Sequence, residues 1–472
     1  MAVPKRTYDM TALHRGLRLL YLLVLLFVTQ AARALPPADP AAGCQVQAVD
    51  FEGWKAKDLF NDWVHVIIVP QLGGRVMQVR FGEHNYLFVN PRFKGKYIPP
   101  AEAAKTNHWI NYGGDKLWPL PEGREDVEHW PGPVSDVLDD GEYNFRTDLQ
   151  GPTCAVHLEG PADPATGLQF SREITISGSS PEIFFHAEMK NASDHPIRWS
   201  IQSVTQYDTA DRQDATHYNH GFWAFAPSNP RSAFVDGYYV RAGLADDPSF
   251  AVKDGLFTLH WLYLENEVWL DSEEGWIAIV DDLSQFGMIE EFRYAKDAEY
   301  PGHASVIFYK NGAAIELDSS GMPQLRSSDP QRAPYYMEAE LNSPMIRLEP
   351  GASYGFDTQW YPARTGRRIN SVSAVGVVES PLQAVAEAGR LHLSGKFGVF
   401  FPGKLAARVF DDHGAQWEIA LGTADPLHEV QLDQTIELAP GVVRVALHLN
   451  DAQDKDLGVL GEAEIAPPPK NQ

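Results

Sequence analysis

Short runs of β-branched and aromatic residues, each closed by Gly, Pro, Asn or Asp, constrain this chain more than any other feature. HVIIVP (65–70), RVMQVRF (75–81), REITIS (172–177), EIFFHAEMKN (182–191) and GWIAIVDD (275–282) are such runs. Each is long enough for a strand and too short for a globular helix. LGGR at 72–75 reads as a hairpin turn between the first two. No stretch between residues 35 and 364 carries the 3.6-residue apolar period of a long amphipathic helix, and 101–109 holds at most one helical turn. The fold class expected is therefore all-β.

The chain has 472 residues, more than one core usually serves. Near residues 364–370 the aromatic density falls and a new set of closely spaced alternating runs begins, from VSAVGVVESP to VVRVALHLN. Six or seven short strands over that length predict an immunoglobulin-like β-sandwich at 371–466, following a large β domain at 35–364. At the N-terminus, Lys5, Arg6, Arg15 and Arg18 precede the apolar run LLYLLVLLFV and the small-residue pattern Ala32-Arg33-Ala34. That is the layout of a secretory signal peptide at 1–34, with a run too short to span a bilayer. A secreted or periplasmic protein, free of the membrane after cleavage, is expected. Cys44 and Cys154 are the two cysteines; one disulfide or two separate buried thiols both fit, and neither has a Cys-x-x-Cys partner.

The formal net charge of -24 argues against nucleic acid and anionic membranes as partners, because phosphate binding needs a basic stripe. Phosphate-loop, dinucleotide and serine-nucleophile signatures are absent, and no cofactor or metal is implied. Asp208, Asp211, Asp214, His217 and His220 are dense in metal-type ligands, but lack the order of a calcium loop or a firm zinc spacing. They read as a solvated acidic loop.

NPRFKGKY (90–97), NYGGDKLWPLPE (111–122) and YMEAELNSPMIRLEPGASYGF (336–356) stand in an order that resembles galactose mutarotase-like proteins, the aldose 1-epimerases and their relatives. The resemblance spans about 46–361 and is closest to a secreted branch of that group. It implies an antiparallel β-supersandwich that holds a sugar on one face. In that pattern the general base is a Glu before an L-x-P-G element, and Glu338 matches it best, with Glu340 on the same strand face. Two carboxylates on one face suit acid–base work, because each raises the other's pKa. The family's histidine before Gly-Gly is replaced by Tyr112, and its second histidine by the Thr205-Gln206-Tyr207 stretch. Gln206 can hydrogen-bond a sugar but cannot protonate it, and Tyr112 is an acid only if its pKa falls far below ~10.

A binding site is the reading that survives these departures. Trp109 and Trp118 lead the candidate aromatic platforms, with Trp130, Trp223 and Trp360 behind them. Arg92, Lys96, Asn111, Asp115 and Lys116 are the polar candidates, and Arg92 with Lys96 could receive the carboxylate of a uronate. Asp115 and Lys116 read equally well as a local ion pair. The leading expectation is a carbohydrate-binding protein. The alternatives are a carbohydrate-active enzyme, epimerising or polysaccharide-cleaving, with Glu338 as base, and a non-catalytic structural or assembly module. Any protein partner is left open.

Overall fold

The computed structural model describes residues 43–106, 110–121, 136–317, 323–327, 333–414, 416–437 and 441–466. The leader expected at 1–34, Trp109 and Trp130 lie outside them.

Among the described residues, two large antiparallel sheets face each other. The twelve-stranded sheet runs in the order Gln45–Phe51, Trp54–Phe60, Val64–Val69, Arg75–Phe81, Asp115–Leu120, Ile197–Asp208, Tyr336–Asn342, Val306–Lys310, Asn266–Leu270 and Tyr239–Gly243, with two short strands alongside. The ten-stranded sheet has Phe286–Phe292, Ser353–Arg364, Ile183–Asn191 and Leu168–Ser177 at its centre. Chain and sheet alternate in burial where only one face is covered: Leu168–Ser177 begins buried, half-buried, buried, half-buried. The inner faces meet in one apolar core holding Val66, Phe81, Val156, Ile174, Phe185 and Trp360. This is the expected antiparallel β-sandwich.

Neighbouring strands at the middle of the twelve-stranded sheet break the alternation. Asp115–Leu120 is buried throughout, and Ile197–Asp208 and Tyr336–Asn342 nearly so. A central strand buried on both faces needs a cover on its outer side. Part of that cover is the short helix Asp136–Asp140, whose Asp139 pairs with Lys116.

Polar side chains also cross between the sheets. Asp115 accepts from Arg172 and, at 3.2 Å, from the Thr205 hydroxyl. Tyr207 donates to Glu290 at 2.5 Å, and Tyr86 donates to the Gly287 carbonyl at 2.9 Å. Burial pushes the Glu290 carboxyl up to about 8, against the pull of the Tyr207 hydrogen bond.

Cys44 and Cys154 are disulfide-bonded, with Cα atoms 5.8 Å apart. The bond ties the start of the edge strand Gln45–Phe51 to the Thr153–Glu159 strand of the opposite sheet. Residues 371–466 form an eight-stranded sheet arrangement of their own, in the order Gln416–Ala424, Gly403–Asp411, Val442–Asn450, Asp456–Ala466, Gly376–Glu387, Arg390–Val399 and Val430–Glu437, with Ser371–Ser373 alongside. They pack on the outer face of the ten-stranded sheet through one shared apolar core, in which Tyr361 stacks on Phe400 at 4.4 Å between centroids.

Two outcomes follow from these links. Cys154→Ser, or reduction, should lower unfolding stability by up to ~4–5 kcal/mol on the chain-entropy model. An unchanged denaturant midpoint with and without reductant would show that the bond does not brace the native state. For Glu290, the folded carboxyl binds its proton more tightly than the unfolded one. Its favourable contribution is therefore complete below the ordinary value of 4.5 and is lost as pH rises towards about 8. Glu290→Gln should lack this decline, so its melting temperature should gain on the wild type between those pH values.

Candidate functional site

Register decides which side chains share the outer face of the twelve-stranded sheet. Gln206 stands opposite Glu338, Glu338 opposite Tyr309, and Tyr309 opposite Glu267. Val204 stands opposite both Lys116 and Glu340, and Gln202 opposite Trp118. Directly opposed residues point to one side, and the side changes at every step along a strand. Lys116, Trp118, Gln202, Gln206, Glu338, Glu340 and Tyr309 therefore share the outer face. Asp115, Thr205 and Tyr207 share the inner one.

Two amide–carboxylate pairs form the floor of this face. Gln206 Nε2 donates to Glu338 Oε1 at 2.5 Å, and Gln202 Nε2 donates to Glu340. The other amide atom, Gln206 Oε1, is buried and has no hydrogen-bond partner among the described residues. Glu338 is half-buried, whereas Glu340 is buried. Burial raises the Glu338 pKa, while Lys116 and the Gln206 hydrogen bond pull it back.

A buried charge cluster flanks the floor. Lys116 Nζ lies 3.5 Å from the centre of the Trp118 ring and donates to Asp139 Oδ1 at 2.9 Å. Arg75 donates to the same oxygen at 2.5 Å and lies 3.5 Å from Asp140 Oδ1. The turn before Arg75 explains how Asp139 arrives there. Gly73 has φ 63°, and a Cβ on it would stand 1.9 Å from the Asp139 carbonyl oxygen. The helix that carries Asp139 can rest on this turn only because residue 73 has no side chain. Burial, then the Asp139 charge, pushes Asp140 up to about 8, while burial lowers the Lys116 pKa against the pull of Asp139. Beyond Glu338, Tyr309 donates to Asn311 at 3.2 Å, and Trp269 donates to Glu267 at 2.5 Å.

The structure brings Lys116, Trp118, Gln206, Glu338 and Glu340 to this face. Half-buried Asn111 joins them through the adjacent Tyr336, and its Oδ1 accepts from the Gly113 amide at 3.0 Å. Asp115 points the other way, into the sandwich and onto Arg172, so it forms no pair with Lys116. Consecutive strand residues cannot share a face. Tyr112 is fully buried against Trp54 and Phe93, and its hydroxyl accepts from the Ile98 amide at 2.9 Å. Burial pushes its pKa up to about 12, away from what an acid at neutral pH requires. Arg92 and Lys96 are exposed, and Lys96 Nζ donates to the Arg92 carbonyl at 2.8 Å.

Of the other tryptophans, Trp360 packs in the interior against Phe185 at 4.6 Å. Trp223 belongs to the ten-stranded sheet and stacks on His260 at 4.1 Å. In the acidic loop, exposed His217 pairs with Asp214 at 3.0 Å. Among the described residues no group of three His, Cys, Asp or Glu is placed to hold a metal ion.

Sequence reasoning passed over Arg75, Asp139, Asp140, Gln202 and Tyr309. Gln202 was reachable, since it lies four residues before Gln206 and so on the same strand face. Asp139 and Asp140 were not. Their five-residue helix is too short to leave a periodic signal, and only tertiary contact joins it to Arg75.

No protein-family model and no curated protein matches the chain. Among solved structures, a TPR-domain containing protein from Parabacteroides distasonis is similar with a TM-score of 0.44 and 16% identity, over 68% of this chain and 49% of that one. The chain thus spans about half the length of that protein. A galactose mutarotase-like protein from Clostridium acetobutylicum is similar with a TM-score of 0.42 and 8% identity, over 68% of this chain and 99% of that one. A galactose mutarotase related enzyme from Lactobacillus acidophilus has a TM-score of 0.40 and 10% identity, over 66% and 98%. At this level of likeness, the chemistry of the site rests on its own side chains.

Asp139 is the carboxylate shared by two buried cations. Asp139→Ala should cost ~3–5 kcal/mol in denaturant unfolding, the range for breaking a buried ion pair from one side. Asp214→Ala, at an exposed pair, should leave the denaturant midpoint where the wild type has it. Equal small losses at both sites would remove Asp139 from the role of keystone.

Proposed function

We propose that the protein is an exported carbohydrate-binding protein that takes a sugar or oligosaccharide on the outer face of its twelve-stranded sheet. The observation that carries this reading is the Gln206–Glu338 pair. A half-buried carboxylate beside a buried amide oxygen with no partner among the described residues is a place that asks for hydroxyl donors. Sugar hydroxyls supply them. Half-buried Tyr309 offers apolar contact to C–H groups. A strongly acidic chain suits a ligand of neutral charge. Export is supported by the basic, apolar, small-residue layout of 1–34 and by the Cys44–Cys154 bond, since disulfides persist in oxidising compartments. The 371–466 segment, read as an immunoglobulin-like sandwich, then serves as a buttress on the opposite side.

A second reading, an epimerising or polysaccharide-cleaving enzyme, is favoured by one feature. Glu338, with its pKa raised by burial, is suited to a general base, and Asp140, held protonated to about 8, is the better proton donor than Tyr112.

A thermal-shift screen against neutral sugars, uronates and oligosaccharides tests both readings, because a ligand that binds only the native state raises the melting temperature. The expected result is a selective rise that Trp118→Ala and Gln206→Ala abolish. Turnover of the same compound that disappears in Glu338→Gln, with the shift retained, would move the protein to the enzymes. No shift at high millimolar concentrations would leave the structural or assembly module.

A further inference from the structure

Three polar side chains meet inside the sandwich, on the inner face and away from the candidate site. Lys310 and Asn266 stand directly opposite each other on adjacent antiparallel strands, and both are fully buried. Residues so opposed have Cβ atoms only ~4.5–5.5 Å apart. Asp247 reaches them from the segment that follows the Tyr239–Gly243 strand, and its side chain is fully buried too. Lys310 Nζ donates to Asp247 Oδ2 at 2.5 Å and to Ser249 Oγ at 2.6 Å. Asn266 Nδ2 donates to that same Asp247 oxygen at 3.0 Å and to the Leu244 carbonyl at 2.8 Å. Asn266 Oδ1 is buried with no hydrogen-bond partner among the described residues. Phe250 lies 5.0 Å from Nζ, backed by Phe257, on which Phe308 stacks.

A clamp on the 244–250 segment would need the Lys310–Asp247 ion pair alone. This cluster adds a carboxamide on the carboxylate oxygen that binds the amine, with its carbonyl oxygen unengaged, in a site shielded from water. An amine, an amide carbon and a shared proton carrier are the reactants and the catalyst of an intramolecular transamidation. We propose that Lys310 Nζ and Asn266 Cγ become joined by an amide bond, with Asp247 carrying the proton.

The step balances within the triad. The Lys310 ammonium passes a proton to Asp247 across their hydrogen bond, and the neutral amine attacks Asn266 Cγ. The new C–N bond forms as the Cγ–Nδ2 bond breaks. One amine proton moves to Nδ2, which leaves as ammonia, and ammonia then takes the proton held by Asp247. No oxidant, metal or external reactant takes part. Burial lowers the pKa of Lys310, which eases release of its proton. In Asp247, burial is outweighed by Lys310, so the ion pair is the resting state and the neutral pair the reactive one. The product would bind the Asn266–Leu270 and Val306–Lys310 strands covalently, a brace suited to an exported sandwich and independent of what its outer face binds.

Mass spectrometry of the purified full chain after reduction, followed by a protease digest, tests this directly. The wild type should be lighter than its residues require by one ammonia. Its digest should contain a branched peptide that joins the segments of Lys310 and Asn266. Lys310→Arg and Asp247→Ala should each show the unmodified mass at these segments and release two linear peptides. Linear peptides from the wild type would overturn the proposal. So would loss of a water in place of ammonia, which would put the bond on Asp247. Loss of ammonia without a branched peptide would mean a cyclised asparagine and would also overturn it. A branched peptide persisting in Asp247→Ala would remove Asp247 from the chemistry.

Discussion

The contact between Asp115 and Arg172 decides which side chains of the strands around it face inward. It crosses the sandwich, and it fixes which face of the Asp115–Leu120 strand looks inward. Because strand side chains alternate, holding Asp115 inward sends Lys116 and Trp118 outward. A slip of one residue would bury Lys116 among apolar side chains and turn Asp115 out, at the cost of two unpaired charges in low dielectric. The hydroxyl of Thr205 on the neighbouring strand binds the same carboxylate, so that strand is held in step and Gln206 also faces out. The candidate site thus depends on an ion pair that no ligand could touch.

Burial of charge is concentrated on both sides of this one sheet. Outside, Arg75 and Lys116 share Asp139; inside, Arg172 holds Asp115. Each pair repays its desolvation only if geometry and further hydrogen bonds are good, so such pairs add little net stability while strongly penalising wrong arrangements. A sandwich of this size, with many strands of similar pattern, gains from that penalty. Apolar alternation alone would tolerate several strand orders, whereas a cation left without its carboxylate tolerates almost none.

This division also explains what could be read from the amino acids. Strands such as 172–177 and 182–191 were legible because two-residue alternation is local, and the Gly73-Gly74 turn because it must lie between two of them. The Glu338 and Glu340 face followed from spacing within one strand. Asp115 was placed with the ligand groups because its neighbour Lys116 belongs there, and only the partner Arg172, 57 residues away, turns it inward. Tyr112 looked available as an acid because sequence shows no burial, and the packing of Trp54 and Phe93 around it is tertiary. The pairing of Cys44 with Cys154 was open for the same reason, since two cysteines carry no record of distance.

The two outer faces of the sandwich have had opposite fates. On the ten-stranded sheet, residues such as Phe225, Ile289, Tyr361 and Ala363 are apolar and are covered by 371–466. On the twelve-stranded sheet, the central strands instead present Gln202, Gln206, Glu338 and Glu340, paired side to side. A face meant only for packing would not spend two amide–carboxylate pairs in its middle, because each polar group must be satisfied at a cost that leucine avoids. Nor would a face meant only for solubility bury them. Here the polar groups in the middle of the face are answered by one another, Gln206 by Glu338 and Gln202 by Glu340. Among the described residues, Gln206 Oε1 is the amide oxygen of these pairs left without a hydrogen-bond partner.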